Sequence, residues 1–160
     1  MKIIYMIGCP GSGKSTLTSK KYPDLPQVSR DIIRAELGFI KPGVKAVCTP
    51  AQEQAVTKAQ EEKIKGYISA GQDFVLDDTN VNQKYLKISL RNVRNWAKKV
   101  GQDLHLIAEV FKVPAEVCFE RRKADGFDFE TIDRMYKAAA TIPFGSGDFT
   151  FSEVHFHTNH

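Results

Sequence analysis

An open α/β sheet of about five mostly parallel strands, with helices on both faces, is the fold class that this sequence predicts. Three observations predict it. Short apolar runs at 3–7, 74–76 and 104–111 alternate with stretches of helical period. The first run leads directly into a glycine-rich turn, Gly8-Cys9-Pro10-Gly11-Ser12-Gly13-Lys14-Ser15, which satisfies G-x-x-x-x-G-K-[ST] at every fixed position. The length of 160 residues suits one domain with its own core, and 42% hydrophobic with 26% charged residues is a globular balance.

Each element has a local cause. Residues 3–7 are uniformly apolar and read as a buried strand. The helix after the turn runs from Lys14 to about Lys20 and stops before Pro23, because the residue preceding a proline is pushed out of the helical region. Residues 26–29 are a short extended piece leading into a helix over 30–37 that ends at Gly38. The stretch 39–48 has Lys41, Pro42, Gly43 and Lys45 without sustained period and reads as a mobile surface loop. Thr49-Pro50-Ala51-Gln52 is a capping box with proline at the first helical position, and the helix it starts runs to about Ala70. After the strand 74–76 come Asp77-Asp78-Thr79-Asn80. Asn82 caps a helix over 83–100 with Leu86, Leu90, Val93, Ala97 and Val100 on one face and Lys84, Lys87, Arg91, Arg94 and Lys98 on the other. Pro114 opens a helix through Arg121, Asp128 caps another over about 129–140, and 149–157 alternates as a final edge strand.

The glycine-rich turn carries the first chemical reading. Glycines let the backbone curl until its N–H groups point at phosphate oxygens, and the positive end of the next helix adds to them. Residues 8–16 (Gly8, Cys9, Pro10, Gly11, Ser12, Gly13, Lys14, Ser15 and Thr16) are thus expected to cradle a nucleoside triphosphate, with Lys14 on the β- and γ-phosphates and Ser15 on Mg²⁺. In open sheets ligands bind at the carboxyl ends of strands, so 8–15, 29–34, 77–82 and the segment after Phe111 should meet at one cleft. A kinase acting on an alcohol gains from a carboxylate that accepts the hydroxyl proton and an arginine that holds an acceptor anion; Asp31 and Arg34, three residues apart, suit those roles. A shared role of Asp31 through a metal-bound water is also open. No N-K-x-D guanine motif occurs.

With these segments in view the chain resembles a known family. Residues 7–16, Ser29-Arg30-Asp31-Ile32-Ile33-Arg34, Asp78-Thr79-Asn80-Val81-Asn82, Phe111-Lys112-Val113-Pro114 and Arg134-Met135-Tyr136-Lys137 resemble, in that order, the kinase domain of the bacteriophage polynucleotide 5′-kinases, over Met1 to about Lys137. The resemblance implies a three-layer P-loop kinase fold and transfer of the ATP γ-phosphate to the 5′-hydroxyl of DNA or RNA. It implies Asp31 as general base, Arg34 on the acceptor's phosphate, and Asp78, Thr79 and Asn80 as an active-site segment on the substrate. Two departures matter. The D-x-D-G-T signature of the phage enzymes' 3′-phosphatase half does not occur in this sequence, so a single kinase domain over 1–160 acting on 5′ ends is expected. In the lid, around 121–127, the family's later arginine is replaced by Asp125, which leaves Arg121 and Arg122, then Lys123, as cations for the transition state.

Other features set expectations of their own. The first apolar run is too short for a signal or membrane segment, so a cytoplasmic setting is expected, that of a host cell if the chain is phage-encoded. Cys9, Cys48 and Cys118 lack disulfide or zinc spacing. The net charge of +4 permits a polyanionic partner without requiring one. The basic helix face reads as solvated rather than as a phosphate track, Trp96 and Tyr85 as packing residues, and His105, His155, His157 and His160, which make no constellation with the proposed site residues, are assigned no role. The competing function is a P-loop kinase of a small alcohol such as a nucleoside or sugar, followed by a nucleotide-dependent binding protein.

Overall fold

The computed structural model describes residues 1–40 and 47–158. Among the described residues five strands, β1 (Lys2–Ile7), β2 (Gln27–Val28), β3 (Phe74–Asp77), β4 (His105–Phe111) and β5 (Glu153–His157), form one sheet in the order β2-β3-β1-β4-β5. Every pairing among them is parallel. Six helices of the described residues connect and cover them: α1 (Lys14–Lys21), α2 (Arg30–Glu36), α3 (Pro50–Ala70), α4 (Gln83–Val100), α5 (Ala115–Arg122) and α6 (Phe129–Ala140). The arrangement is the three-layer P-loop kinase fold.

A parallel sheet needs cover on both faces, and the alternation along β1 supplies two cores. Ile3, Tyr5 and Ile7 join Val56, Ile64 and Ile68 of α3 and Leu86, Leu90, Val93 and Ala97 of α4. Ile4 and Met6 join Val75, Ile107 and Phe111 on the opposite face, under Leu17, Tyr22 and Leu25. A third cluster, formed by Cys9, Val113, Ala115, Cys118 and Ile132, seats α5 and α6 beside the glycine-rich turn. The predicted caps are present: Thr49 and Gln52 bond reciprocally, Asn82 accepts from Tyr85 N–H and Asp128 from Thr131 N–H.

Two boundaries depart from expectation. The last strand starts at Glu153, four residues later than the alternation suggests, because Gly147–Phe149 is a 3₁₀ turn. Arg94 of α4 holds that turn by donating to the carbonyls of Asp148 and Thr150 at 2.8 and 2.6 Å. The helix at 115–122 is extended by a tight turn over Lys123–Asp125 that closes at Gly126. The loop expected over 39–48 falls for the most part outside the described residues.

Candidate active site

The glycine-rich turn sits at the carboxyl end of the central strand. Gly8 N–H donates to Thr79 O at 2.9 Å, which ties the turn to the end of β3. Gly11 has φ +83°, and a Cβ there would lie 2.8 Å from both Cys118 O and Arg122 Cγ. Gly13, with φ +100°, caps α1 without any side chain, and no atom lies within 4 Å of where its Cβ would stand. Only glycine lets the backbone both touch the lid helix and leave an open concavity at the positive end of α1.

Lys14 folds back into this turn and donates to Gly8 O at 2.6 Å and Cys9 O at 3.3 Å. Burial pushes its ammonium below the ordinary lysine value, against the opposing pull of Asp77, Cys9 and Asp78. Ser12 Oγ is buried and, among the described residues, has no hydrogen-bond partner. A buried polar atom without a partner, an open glycine-lined concavity and a lysine held only by carbonyls form a donor set that suits a polyphosphate. Ser15 stands exposed at the start of α1, and Asp77 ends β3 in register with Met6 of β1. No cluster of three or more metal-ligating residues occurs among the described residues. One hydroxyl and one carboxylate fit a magnesium ion that keeps waters and takes its other ligands from phosphate, not an all-protein cage.

Across the cleft lies the first turn of α2, capped by Ser29, whose Oγ accepts from Ile32 N–H. Arg34 Nη1 donates to Asp31 Oδ1 at 2.8 Å. Its other edge meets Glu53 of α3, Nε on Oε1 and Nη2 on Oε2, both at 3.0 Å. Arg30 Nη2 also reaches Glu53 Oε2, at 2.7 Å. The hydrogen bond from Arg34, against burial and with help from Arg30, holds the Glu53 carboxyl at about 2. Asp78 steadies the same helix: Oδ1 accepts from Arg30 N–H at 2.8 Å and Oδ2 from Gln60 Nε2 at 2.7 Å. Burial raises the Asp77 and Asp78 carboxyls above the ordinary value.

On the lid side, Arg121 Nη1 donates to Gly11 O at 2.9 Å. Arg122 bonds Asp125 through Nε at 2.8 Å and lies over the Phe127 ring at 5.1 Å. Asp125, which replaces the expected arginine, therefore orients Arg122. Lys123 pairs outward with Glu120 at 2.7 Å.

All of this encloses one cleft of about 1250 Å³, bounded by the turn, α2, the end of β3, the lid pair and Phe111. Lys14, Ser15, Thr16, Asp31, Arg34, Asp78, Thr79, Arg121 and Arg122 line it, as do Pro10, Gly11, Ser12 and Gly13. Gly8 and Cys9 lie beneath the surface, and the buried Cys9 thiol donates to Ile132 O. Asn80 is also outside the cleft wall. Held at φ 52°, it donates from Nδ2 to the carbonyls of Met6, Leu76 and Asp78 and so clamps the ends of β1 and β3. The basic face of α4 lies elsewhere: Lys87 and Arg91 surround Asp148. Trp96 packs against the core as expected, but Tyr85 is 66% exposed and does not pack. Lys41, Lys45 and His160 fall outside the described residues.

Sequence reasoning gave no role of their own to three residues near the cleft. Asp77, within the segment 77–82 expected to meet there, lines it, and a signal for its role was available: an apolar strand, Phe74-Val75-Leu76, ending in a carboxylate. Glu53 had no local signal. The third is His157, which lines the cleft and stacks on Phe111 with ring centroids 4.8 Å apart. His157 Nε2 and His155 Nδ1 lie 2.6 and 2.8 Å from the two oxygens of Glu109, a fully buried glutamate of β4 that also receives Lys21 and Tyr22 from the end of α1. His155 and His157, to which the sequence assigned no role, therefore share the Glu109 carboxylate.

Burial alone would raise the Glu109 carboxyl, but hydrogen bonds from Lys21, His157, His155 and Tyr22 outweigh it and hold the group at about 2. A folded value below the ordinary 4.5 contributes stability that is complete above about 4.5 and is lost as the pH falls toward about 2. Glu109→Gln should melt below the wild type at pH 7, by about 2–4 °C for each kcal/mol lost. The gap should close between pH 4.5 and 2; thermal melts of both proteins across that window check it, and a gap independent of pH contradicts it.

Comparisons with known proteins bear on the family and the fold. Residues 3–138 match the family model described as AAA domain. A protein of Autographa californica nuclear polyhedrosis virus, which carries the provisional name bifunctional polynucleotide kinase/RNA ligase, is 27% identical over 151 residues. That match covers 85% of this chain and 20% of the viral protein. A chain in the structure of the Pnkp1/Rnl/Hen1 RNA repair complex superposes with TM-score 0.68 at 20% identity, over 87% of this chain and 44% of its own length. A gluconokinase from Sinorhizobium meliloti 1021 superposes with TM-score 0.54 at 13% identity, over 98% and 82% of the two chains. The chain thus spans less than half of the first two proteins. No helix among the described residues is long and apolar enough to cross a membrane. The family match over most of the length shows that the chain belongs to the AAA domain family, which implies ATP as the nucleotide, and the five-stranded parallel sheet has the fold of the P-loop kinases.

Proposed function

We propose that this chain transfers the γ-phosphoryl group of ATP to the 5′-hydroxyl end of DNA or RNA. The observation that carries the reading is the placement of Asp31 and Arg34 on one helical turn, across a single cleft from the phosphate-cradling turn. The provisional name of the viral relative supports it.

In this reading Lys14 leaves the carbonyls of Gly8 and Cys9 and binds the β- and γ-phosphates. Ser15 and Asp77 would hold Mg²⁺, which would supply charge neutralisation on the phosphates; a contact from Asp31 through a metal-bound water is the alternative to its role as base. Asp31 uses Oδ1 for Arg34, which leaves Oδ2 to take the proton of the attacking hydroxyl. Arg34 engages three of its five N–H groups with Asp31 and Glu53, and offers the remaining two to the phosphate on the 3′ side of the acceptor nucleotide. Arg121 and Arg122 stabilise the charge that develops on the transferring group. The reaction proposed concerns 5′ ends only, carried out by 1–160 as one kinase unit with its lid around 121–127.

Radiolabelled ATP offered with 5′-hydroxyl oligonucleotides, nucleosides and sugars tests the assignment. Label should enter the oligonucleotide and be lost when its 5′ end is already phosphorylated. Preferential labelling of a nucleoside or sugar establishes the small-alcohol kinase instead. Arg34→Ala should raise the KM for the oligonucleotide about tenfold or more, on the scale of about 1.5–3 kcal/mol for charged hydrogen bonds, and leave the KM for ATP nearly unchanged. Steady-state kinetics with each substrate varied in turn measures both.

A further inference from the structure

We propose that Glu53 is a positioning residue for the acceptor side of the cleft, acting through Arg34; this rests on the reading of Asp31 and Arg34 given above. Arg30 and Arg34 stand at i and i+4 on α2, where two guanidinium groups repel one another and, unrestrained, splay into solvent. Glu53 lies between them. It grips the Nε/Nη2 edge of Arg34 side-on at 3.0 Å through both carboxylate oxygens and takes Arg30 Nη2 at 2.7 Å.

A side-on fork fixes the plane of a guanidinium as well as its position. With that edge engaged, Nη1 is turned to Asp31 Oδ1 at 2.8 Å, and of the two remaining N–H groups one is on Nη1, next to the carboxylate proposed to accept the proton, and the other on Nη2. The capping box at Thr49 places Glu53 in the first turn of α3, where the helix favours negative charge. The attachment of α3 does not depend on this contact: Val56, Ile64 and Ile68 are buried in the main core, and Arg30 also bonds Thr57 and Gln60. A carboxylate with three charged hydrogen bonds on a helix already anchored by packing serves the orientation of the arginine rather than the fold.

The test is a double-mutant cycle on the full chain, with a 5′-hydroxyl oligonucleotide and ATP as substrates. Glu53→Gln keeps the shape but sets an amide against an arginine N–H. It should lower kcat/KM for the oligonucleotide by about tenfold and leave the KM for ATP within about twofold. In the Arg34→Ala background the same substitution should change nothing beyond about twofold. Glu53→Asp, which keeps the charge on a shorter stem, should retain more activity than Glu53→Gln. Equal losses in both backgrounds would show a structural role and overturn the proposal.

A second arm does not use turnover. In ¹⁵N-arginine spectra the Arg34 Nε–H should exchange slowly in the wild type and lose that protection in Glu53→Gln; unchanged protection overturns the proposal. If the oligonucleotide is not phosphorylated but a nucleoside or sugar is, the polynucleotide reading fails and the cycle is run on that acceptor, where the same non-additivity is expected. The spectra decide the Glu53–Arg34 contact in either case.

Discussion

Lys14→Ala is expected to abolish phosphoryl transfer while leaving the fold intact. The Lys14 ammonium lies inside the turn that would hold the phosphates, and among the described residues nothing but the carbonyls of Gly8 and Cys9 receives its hydrogen bonds. Its charge is stabilised poorly there, since burial depresses it, and a polyphosphate would stabilise it far better. That difference between empty and loaded cleft makes the residue a large contributor to catalysis and a small one to folding. Losing a preorganised electrostatic contact of this kind costs about 3–4 kcal/mol in the barrier. The turn itself is held by Gly8 N–H on Thr79 O and by the buried cluster around Cys9, both of which survive the substitution. Turnover measured alongside a thermal melt checks this. A variant that keeps more than about a tenth of the rate, against the expected fall of about 10²-fold or more, contradicts the assignment of the triphosphate site.

Asp31→Asn is expected to lower kcat by about 10²–10⁴-fold with little change in the KM for ATP. The amide oxygen of asparagine can still accept from Arg34 Nη1, so the local geometry is preserved and the ability to take a proton is what disappears. Half-exposed at the mouth of the cleft, Asp31 has no other hydrogen bond among the described residues that the change would break. A collapse of ATP affinity in step with kcat assigns Asp31 to the metal instead. Varying Mg²⁺ at fixed ATP separates the two roles, because a lost metal contact is relieved by excess ion and a lost base is not.

What could be read in the chain beforehand was whatever rests on neighbours in sequence. The glycine-rich turn, the capping box at Thr49 and the caps at Asn82 and Asp128 are each complete within a few residues, and the three caps are present as the pattern requires. The alternation of strands and helices pointed to the open parallel sheet, but the order of its strands is set by contacts distant in sequence. Glu109 shows where local reading stops. It looks like one polar residue in an apolar strand, and its partners His155 and His157 lie 46 and 48 residues away, brought opposite only by the register of β4 with β5. Glu53 reaches Arg34 across 19 residues through the packing of α3 on α2, which no periodicity encodes. Asp78 and Asn80 were legible as a segment, but their tasks were not. One pins the N–H of Arg30, which depends on how the sheet meets α2, and the other clamps two strand ends, which depends on the pairing of β1 with β3.

The central claim is that the acceptor is the 5′ end of a polynucleotide, recognised through an anion that free nucleosides lack. The most direct measurement is the ratio of kcat/KM for a nucleoside 3′-monophosphate to that for the corresponding nucleoside, in the wild type and in Arg34→Ala. A wild-type ratio well above one is expected, falling about tenfold or more in the variant, as removal of a bidentate arginine–phosphate contact requires. A wild-type ratio near one, unchanged by the substitution, would contradict the claim and leave a kinase of small alcohols.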